Sequence, residues 1–369
     1  MSIRRPLTGL FAGLAFTLAA LPLVAHHSFG SEFDAQKRLS LTGTVTKLEW
    51  TNPHIWFFID VKDASGRVSN WALEMGSPNA LLRAGWTRTS LKVGDVVAVD
   101  GFHHRSRPNV GNARVVTLAS SGKRLLDPAA GRSELAQTAR AKSDAAARLP
   151  RTAAGRPDLT GTWTPAPDPT SAAGGIEGLH TPRYMIDIMV DLKPNEVPFT
   201  PWGAAIYKQR NDNLRRDNPL IRCLPAGVPR LNAYSHPYKI VQTADMVVVL
   251  YESLTMFRQI FLDGRALPKE LQPSWFGYSA GRWEGDVLVV ESSGFNDRTW
   301  LDGAGHPHSD QMRLTERFRR IDSGHMDIEI VINDPKAYTK PLKYTQPQML
   351  LPNTDLLEYV CENAKSVGP

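Results

Sequence analysis

The sequence predicts a mostly β protein with few helices, an OB-like small barrel followed by a lipocalin-like antiparallel β domain. Three observations carry that expectation. Short apolar runs broken by turn residues recur from Leu41 to Leu118 and again from Tyr238 to Cys361. Asp263-Gly264, Glu284-Gly285 and Ser323-Gly324 punctuate the second set at hairpin positions. Helical readings are confined to the intervals around 78–84, 133–148 and 201–216.

With 369 residues and 42% hydrophobic content, the chain is long enough for two compact domains. Residues 1–25 read as a signal peptide. Arg4 and Arg5 supply its cationic start, Leu7 to Ala20 its apolar centre, Pro22 the break, and Ala25 the small residue before the cut. The apolar stretch is too short to span a bilayer, and no later segment is long or apolar enough, so the mature chain is expected to be exported without a transmembrane segment, to the periplasm or beyond. Ala19 and Ala20 offer competing cleavage points, but only cleavage after Ala25 leaves His26 first.

Residues 26–119 form the OB-like domain. Strands are expected at Leu41–Trp50, Ile55–Lys62, Val68–Leu73, Val96–Phe102 and Ala113–Leu118, with a short helix inserted after the third, and this order is what suggests the small barrel. Residues 120–156 shift to Ala, Arg, Ser and Lys without an apolar stripe and read as an interdomain linker, with Ser133 placed to cap a solvated helix through Arg148. Residues 157–369 form the second domain. It opens on Pro157 to Trp163, continues through a helix from Pro201 to Arg216, and then runs through strands at Tyr238–Thr243, Met246–Ser253, Met256–Leu262, Asp286–Ser292, Met312–Ile321, Met326–Ile332 and Leu356–Cys361.

Charge excludes one class of partner. Without Arg4 and Arg5 the formal balance of +6 falls to about +4, too weak and dispersed for nucleic acid. The basic linker also contains Asp127, Glu134 and Asp144 and lacks aromatics. Cys223 and Cys361 are the two cysteines, an even count in an exported chain, and are expected to form a disulfide.

Several motifs carry a resemblance. His26-His27-Ser28-Phe29, Thr51-Asn52-Pro53-His54 and Gly76-Ser77-Pro78-Asn79 resemble a family of bacterial exported proteins of unknown function. The run from Cys223 to Arg230, Asp263-Gly264-Arg265 and Gly281-Arg282-Trp283-Glu284-Gly285-Asp286 are similar to a second uncharacterised exported group. The resemblance implies export and architecture and brings no reaction with it.

Candidate chemistry falls in three places. A chain beginning at His26 offers an amine and imidazoles at His26 and His27, and with His54, and His103 and His104 as further contributors, these can supply the nitrogen-rich coordination that copper(II) prefers. In the second domain, strand alternation turns Glu252, Arg258 and Glu316 among apolar neighbours, where they must pair with each other or with a small apolar ligand bearing a polar handle. His306 and His308, on the loop from Gly294 to Ser309, are placed to line the mouth of the barrel. The expected function is therefore an exported binding protein for a metal ion or a small apolar molecule. Acid/base catalysis by Glu252, Glu316 or the histidine loop is the alternative, and an envelope assembly module without a ligand is another. Gly277-Tyr278-Ser279-Ala280-Gly281 has the spacing of a nucleophile elbow, but the elbow needs a strand before Ser279 and a helix after it, and the sequence offers neither.

Overall fold

The computed structural model describes residues 32–126, 149–168, 182–352 and 354–361. The first segment contains β1 (Phe33–Glu49), β2 (Trp56–Lys62), β3 (Val68–Glu74), the helix α1 (Pro78–Arg83), β4 (Val96–His104), β5 (Val110–Leu118) and β6 (Arg124–Leu126). β1 pairs with both β2 and β4, β4 with β5, and β3 with β5 in parallel, so β1-β2-β3-β5-β4 closes on itself. The long β1 serves both neighbours because its register shifts between Val45 and Lys47 and again between Phe33 and Arg38. Close strand crossing also demands glycine: a Cβ at Gly101 would lie 1.9 Å from the Asn112 carbonyl oxygen. Val45, Ile55, Phe57, Ile59, Leu73, Val97, Val99 and Val116 fill the barrel, which is the alternating inward face of the strands. The motif Gly76-Ser77-Pro78-Asn79 is a helix start. The Ser77 hydroxyl accepts from Ala80 N at 3.2 Å, and Pro78 occupies the first turn, where its missing N–H costs nothing.

The second domain is a closed nine-stranded barrel: β7 (Gly161–Pro165), β8 (Tyr238–Gln242), β9 (Met246–Tyr251), β10 (Met256–Phe261), β11 (Tyr278–Glu284), β12 (Val287–Ser293), β13 (Arg313–Arg320), β14 (His325–Asn333) and β15 (Leu342–Leu350). Two helices flank it, α2 (Arg183–Ile186) and α3 (Pro201–Asp212). It departs from the expected antiparallel barrel at one seam, since β10 and β11 pair in parallel through Ile260↔Ser279 and Phe261↔Ala280. The long excursion from Leu262 to Gly277 makes that orientation possible, because a parallel neighbour cannot be reached by a tight hairpin.

Four strands, β6, β7, β11 and β15, were not expected from the sequence, and the expected strand Leu356–Cys361 is absent. That tail is held by side chains instead of a ladder, with Leu357 N donating to Glu252 Oε2 at 2.8 Å. The helix expected over Ser133–Arg148 lies outside the described residues. The end of the expected linker is ordered, with Arg151 paired to Asp286 at 2.6 Å. Cys223 and Cys361 form the expected disulfide.

The second set of sequence motifs is also structural. In Gly281-Arg282-Trp283-Glu284-Gly285-Asp286, Glu284 pairs with Val287, and Gly285 takes φ +61° in the two-residue turn between them. The run from Cys223 to Arg230 enters the core through Ala226 and Val228. Outside the barrel, Arg282–Glu291 at 2.8 Å, Arg317–Glu284 at 3.0 Å and Lys343–Glu329 at 3.2 Å form a cross-strand lattice of opposite charges. Among the described residues no helix is long and apolar enough to cross a membrane.

Candidate functional site

In the OB-like barrel, three elements bring polar side chains to one end. His54 precedes β2, Glu74 ends β3, and Glu32 precedes β1. His54 Nδ1 lies 3.2 Å from the Met75 carbonyl oxygen and 3.3 Å from Glu74 Oε1. With two acceptors around it, Nδ1 carries a proton directed at them. Glu32 adjoins the same group. Burial and the Glu74 charge push its carboxyl up to about 8, against the opposing pull of His54 and Arg107. Burial lowers the Arg114 guanidinium to about 10, while the Glu74 charge works in the other direction. Asn112, cross-strand from Glu74 and 3% exposed, has a buried Oδ1 without a hydrogen-bond partner. His26 and His27, expected beside His54, lie outside the described residues. His104 does structural work: its Nδ1 accepts from Ser106 N and Arg107 N at 3.1 and 3.0 Å, capping a turn, and His103 packs edge-on against Trp71.

The expected convergence of Glu252, Arg258 and Glu316 is corrected. Arg258 and Glu316 meet inside the second barrel with Nη2 and Oε2 at 2.5 Å, both buried. Arg258 also donates to Ser279 Oγ at 3.1 Å and Ser292 Oγ at 2.9 Å, and Asn232 Nδ2 donates to Glu316 Oε1 at 2.7 Å. Burial pushes the guanidinium down and Glu316 more than restores it, leaving Arg258 above its ordinary value. Ser279 sits in the middle of this network on a strand, not at an elbow.

Glu252 lies one residue beyond β9, in a turn where Leu254 (φ +57°) and Thr255 (φ +51°) adopt left-handed conformations that disfavour such side chains. Glu252 continues the outward face of β9 that Leu250 occupies, and it reaches the first domain from there. There Arg83 engages both carboxylate oxygens, through Nη1 at 2.7 Å and through Nη2, and Asn79 Nδ2 donates at 3.2 Å. Arg83 also donates to the Asp355 carbonyl at 3.0 Å and Asn79 to that of Glu358 at 3.1 Å. Glu252 is thus the junction of α1, the barrel and the C-terminal tail.

The loop histidines do not line an open mouth; both are buried. His306 Nδ1 meets Asp302 Oδ2 at 2.5 Å and lies 3.8 Å from Asp187 Oδ1, a grouping of metal-ligand types. It is chemically filled, however. Asp302 Oδ1 accepts from Gly305 N and His306 N, and Oδ2 accepts from Ile188 N as well as the imidazole. A carboxylate with this many N–H donors has little left for a cation. His308 takes the Thr299 hydroxyl at 2.5 Å on Nε2 and turns Nδ1 to the Ser309 carbonyl, and burial holds its imidazole below its usual value.

A cleft of about 260 Å³ opens where β7 ends beside β15, walled by Pro165, Pro167, Pro182, Tyr184 and Pro347 with Gln346 among its lining residues. No sequence pattern pointed to it, because its prolines read as loop. Gln346 is 2% exposed, and neither its amide oxygen nor its nitrogen has a partner. Tyr184 packs on Tyr344 with centroids 4.6 Å apart, and the buried Tyr344 hydroxyl is likewise unpartnered.

No curated protein matches the chain. Residues 15–113, a segment that includes His26, His27, Glu32, His54, Glu74 and Asn112, match the family model of a "Family of unknown function (DUF6152)".

Proposed function

We propose that this is an exported binding protein whose OB-like barrel, after cleavage behind Ala25, binds copper(II) through His26, His27 and His54. The observation that carries the reading is the setting of His54. Histidines that ligate metals nearly always donate the other ring N–H to a carbonyl or carboxylate, and His54 Nδ1 has both within 3.3 Å. Glu32 reinforces the reading. It adjoins His54, and only four residues stand between it and His27, so that five residue steps reach about 17 Å when fully extended. An amine and imidazoles suit copper(II) better than they suit calcium or magnesium. The disulfide between Cys223 and Cys361 fits an oxidising compartment.

The test is copper(II) titration, against a competing chelator, of protein starting at His26 and of protein with one added residue ahead of it. The extended form and His54→Gln should each bind at least tenfold more weakly, and Glu74→Gln about 10- to 100-fold more weakly through loss of orientation. Equal affinity in the native and extended forms would reject the N-terminal site.

A further inference from the structure

The run from Cys223 to Arg230 ends on a charge that the fold buries without neutralising. Arg230 opens the single turn Arg230–Ala233 and is 4% exposed. Its Nη1 donates to Asn218 Oδ1 at 3.0 Å, its Nε is buried without a partner, and it makes no ion pair among the described residues. A guanidinium keeps its proton in a protein, so burial leaves a full positive charge to be met.

A second guanidinium comes into range from α3. Arg210 lies over the Trp300 ring, 4.6 Å from its centroid, a contact that holds the group without using its N–H donors. Only Nη1 is engaged, with the Gly305 carbonyl oxygen at 3.1 Å, and Arg210 too makes no ion pair among the described residues. Burial brings Arg210 down to about 10, the Arg230 charge adds to the fall, and Tyr338, Asp302 and Asp217 oppose it. Asp302 acts on both guanidiniums, yet its oxygens are already taken by three backbone N–H groups and His306.

The remaining valences share one sign. Asn218, also 4% exposed, accepts on Oδ1 from Arg230 and from Leu220 N, which leaves it the Nδ2 donor. The unspent groups of Arg210, Asn218 and Arg230 are therefore all donors, and two of them belong to cations. Water would meet the hydrogen bonds and leave the charge. Donors brought by three separate segments also outnumber the two oxygens of a carboxylate, whereas a phosphate has acceptors enough for them.

We infer that Arg210, Asn218 and Arg230 form a binding site for a small phosphate-type oxyanion, in the second domain and independent of copper at His54.

The experiment is calorimetric titration of the full chain with inorganic phosphate and with acetate, in chelator and at an ionic strength held constant with chloride. Saturable phosphate binding is expected, at least tenfold tighter than acetate. Arg230→Met should lose at least tenfold in phosphate affinity. Asn218→Asp keeps the oxygen that accepts from Arg230 and Leu220 and puts a carboxylate where the anion would sit. It should also lose at least tenfold, with a thermal midpoint in chloride at or above that of the native chain. A lower midpoint would mean that Arg230 already has its counter-charge, and would overturn the assignment. So would absence of saturable phosphate binding by the native chain, equal affinity for acetate, or full phosphate affinity in Arg230→Met or Asn218→Asp. Because metal is absent throughout, none of these outcomes bears on copper at His54.

Discussion

Arg258 and Glu316 show how a charged pair is kept inside an apolar barrel. The pair is sustained by Ser279 and Ser292, which accept from Arg258 Nε and Nη2, and by Asn232, which donates to Glu316, while Arg258 Nη1 is buried without a partner. Removing one partner strands the other, so Arg258→Met should destabilise the fold by about 3–5 kcal/mol, whereas Arg258→Met with Glu316→Leu should recover most of that loss in urea unfolding. His308 makes a separate prediction. Its folded value lies below the ordinary 6.5 because burial disfavours the imidazolium, aided by Arg210 and opposed by the Ser309 carbonyl, Asp334 and Asp297. The unfolded chain therefore binds the proton first. Stability is complete above about pH 6.5 and declines as pH falls from there toward the folded value, by about 1.4 kcal/mol for every pH unit between the two. His308→Gln should flatten that part of the pH profile of the denaturation midpoint.

Among the elements, the turn Glu252–Thr255 decides more than any strand. Sequence alternation placed Glu252 on the same face as Arg258, and the strand β9 itself obeys alternation, with Val247, Val249 and Tyr251 buried. The failure is one of parity, because Glu252 continues the outward face of Leu250, which pairs with exposed Phe257, whereas Arg258 pairs with the inward Val249. Left-handed backbone is legible where glycine or asparagine occupies the position, and here Leu254 and Thr255 occupy it. For the same kind of reason β15 was unreadable, carrying Pro347 in its middle, and β11 was obscured by Gly281. His54 was legible as a candidate ligand from its loop motif. Glu74, Glu32 and Asn112 were not, because the parallel β3–β5 pairing that assembles them is a long-range contact with no local signature. Glu252→Ala should cost about 3 kcal/mol by leaving the largely buried Arg83 without its carboxylate, and calorimetry should then resolve two transitions where the native protein shows one.

For the whole molecule, β6 (Arg124–Leu126) falls inside the stretch read as linker, whereas the mostly β character and the presence of two sets of strands were legible because turn residues and apolar runs are local. How the barrels meet was not, since the contact is made by single side chains from distant positions. The disulfide ties the molecule together across 138 residues. Closing a loop of that length is worth about 5 kcal/mol by chain entropy. Reduction, or Cys361→Ser, should lower the stability of the second domain by about 2–5 kcal/mol in denaturant unfolding. It should also loosen the tail that supplies Leu357 N, and the Asp355 and Glu358 carbonyls, to the domain junction.

That tail has a consequence for the order of assembly. α1 lies early in the sequence, yet the contacts that receive it are completed by Asp355 and Glu358, more than 250 residues later. The first barrel can fold without that segment, but its docking is complete only once the segment is in place. A chain truncated before Asp355 would carry both barrels and lack their final latch. Protection of Arg83 from chemical modification would therefore mark molecules in which the 355–358 segment has docked.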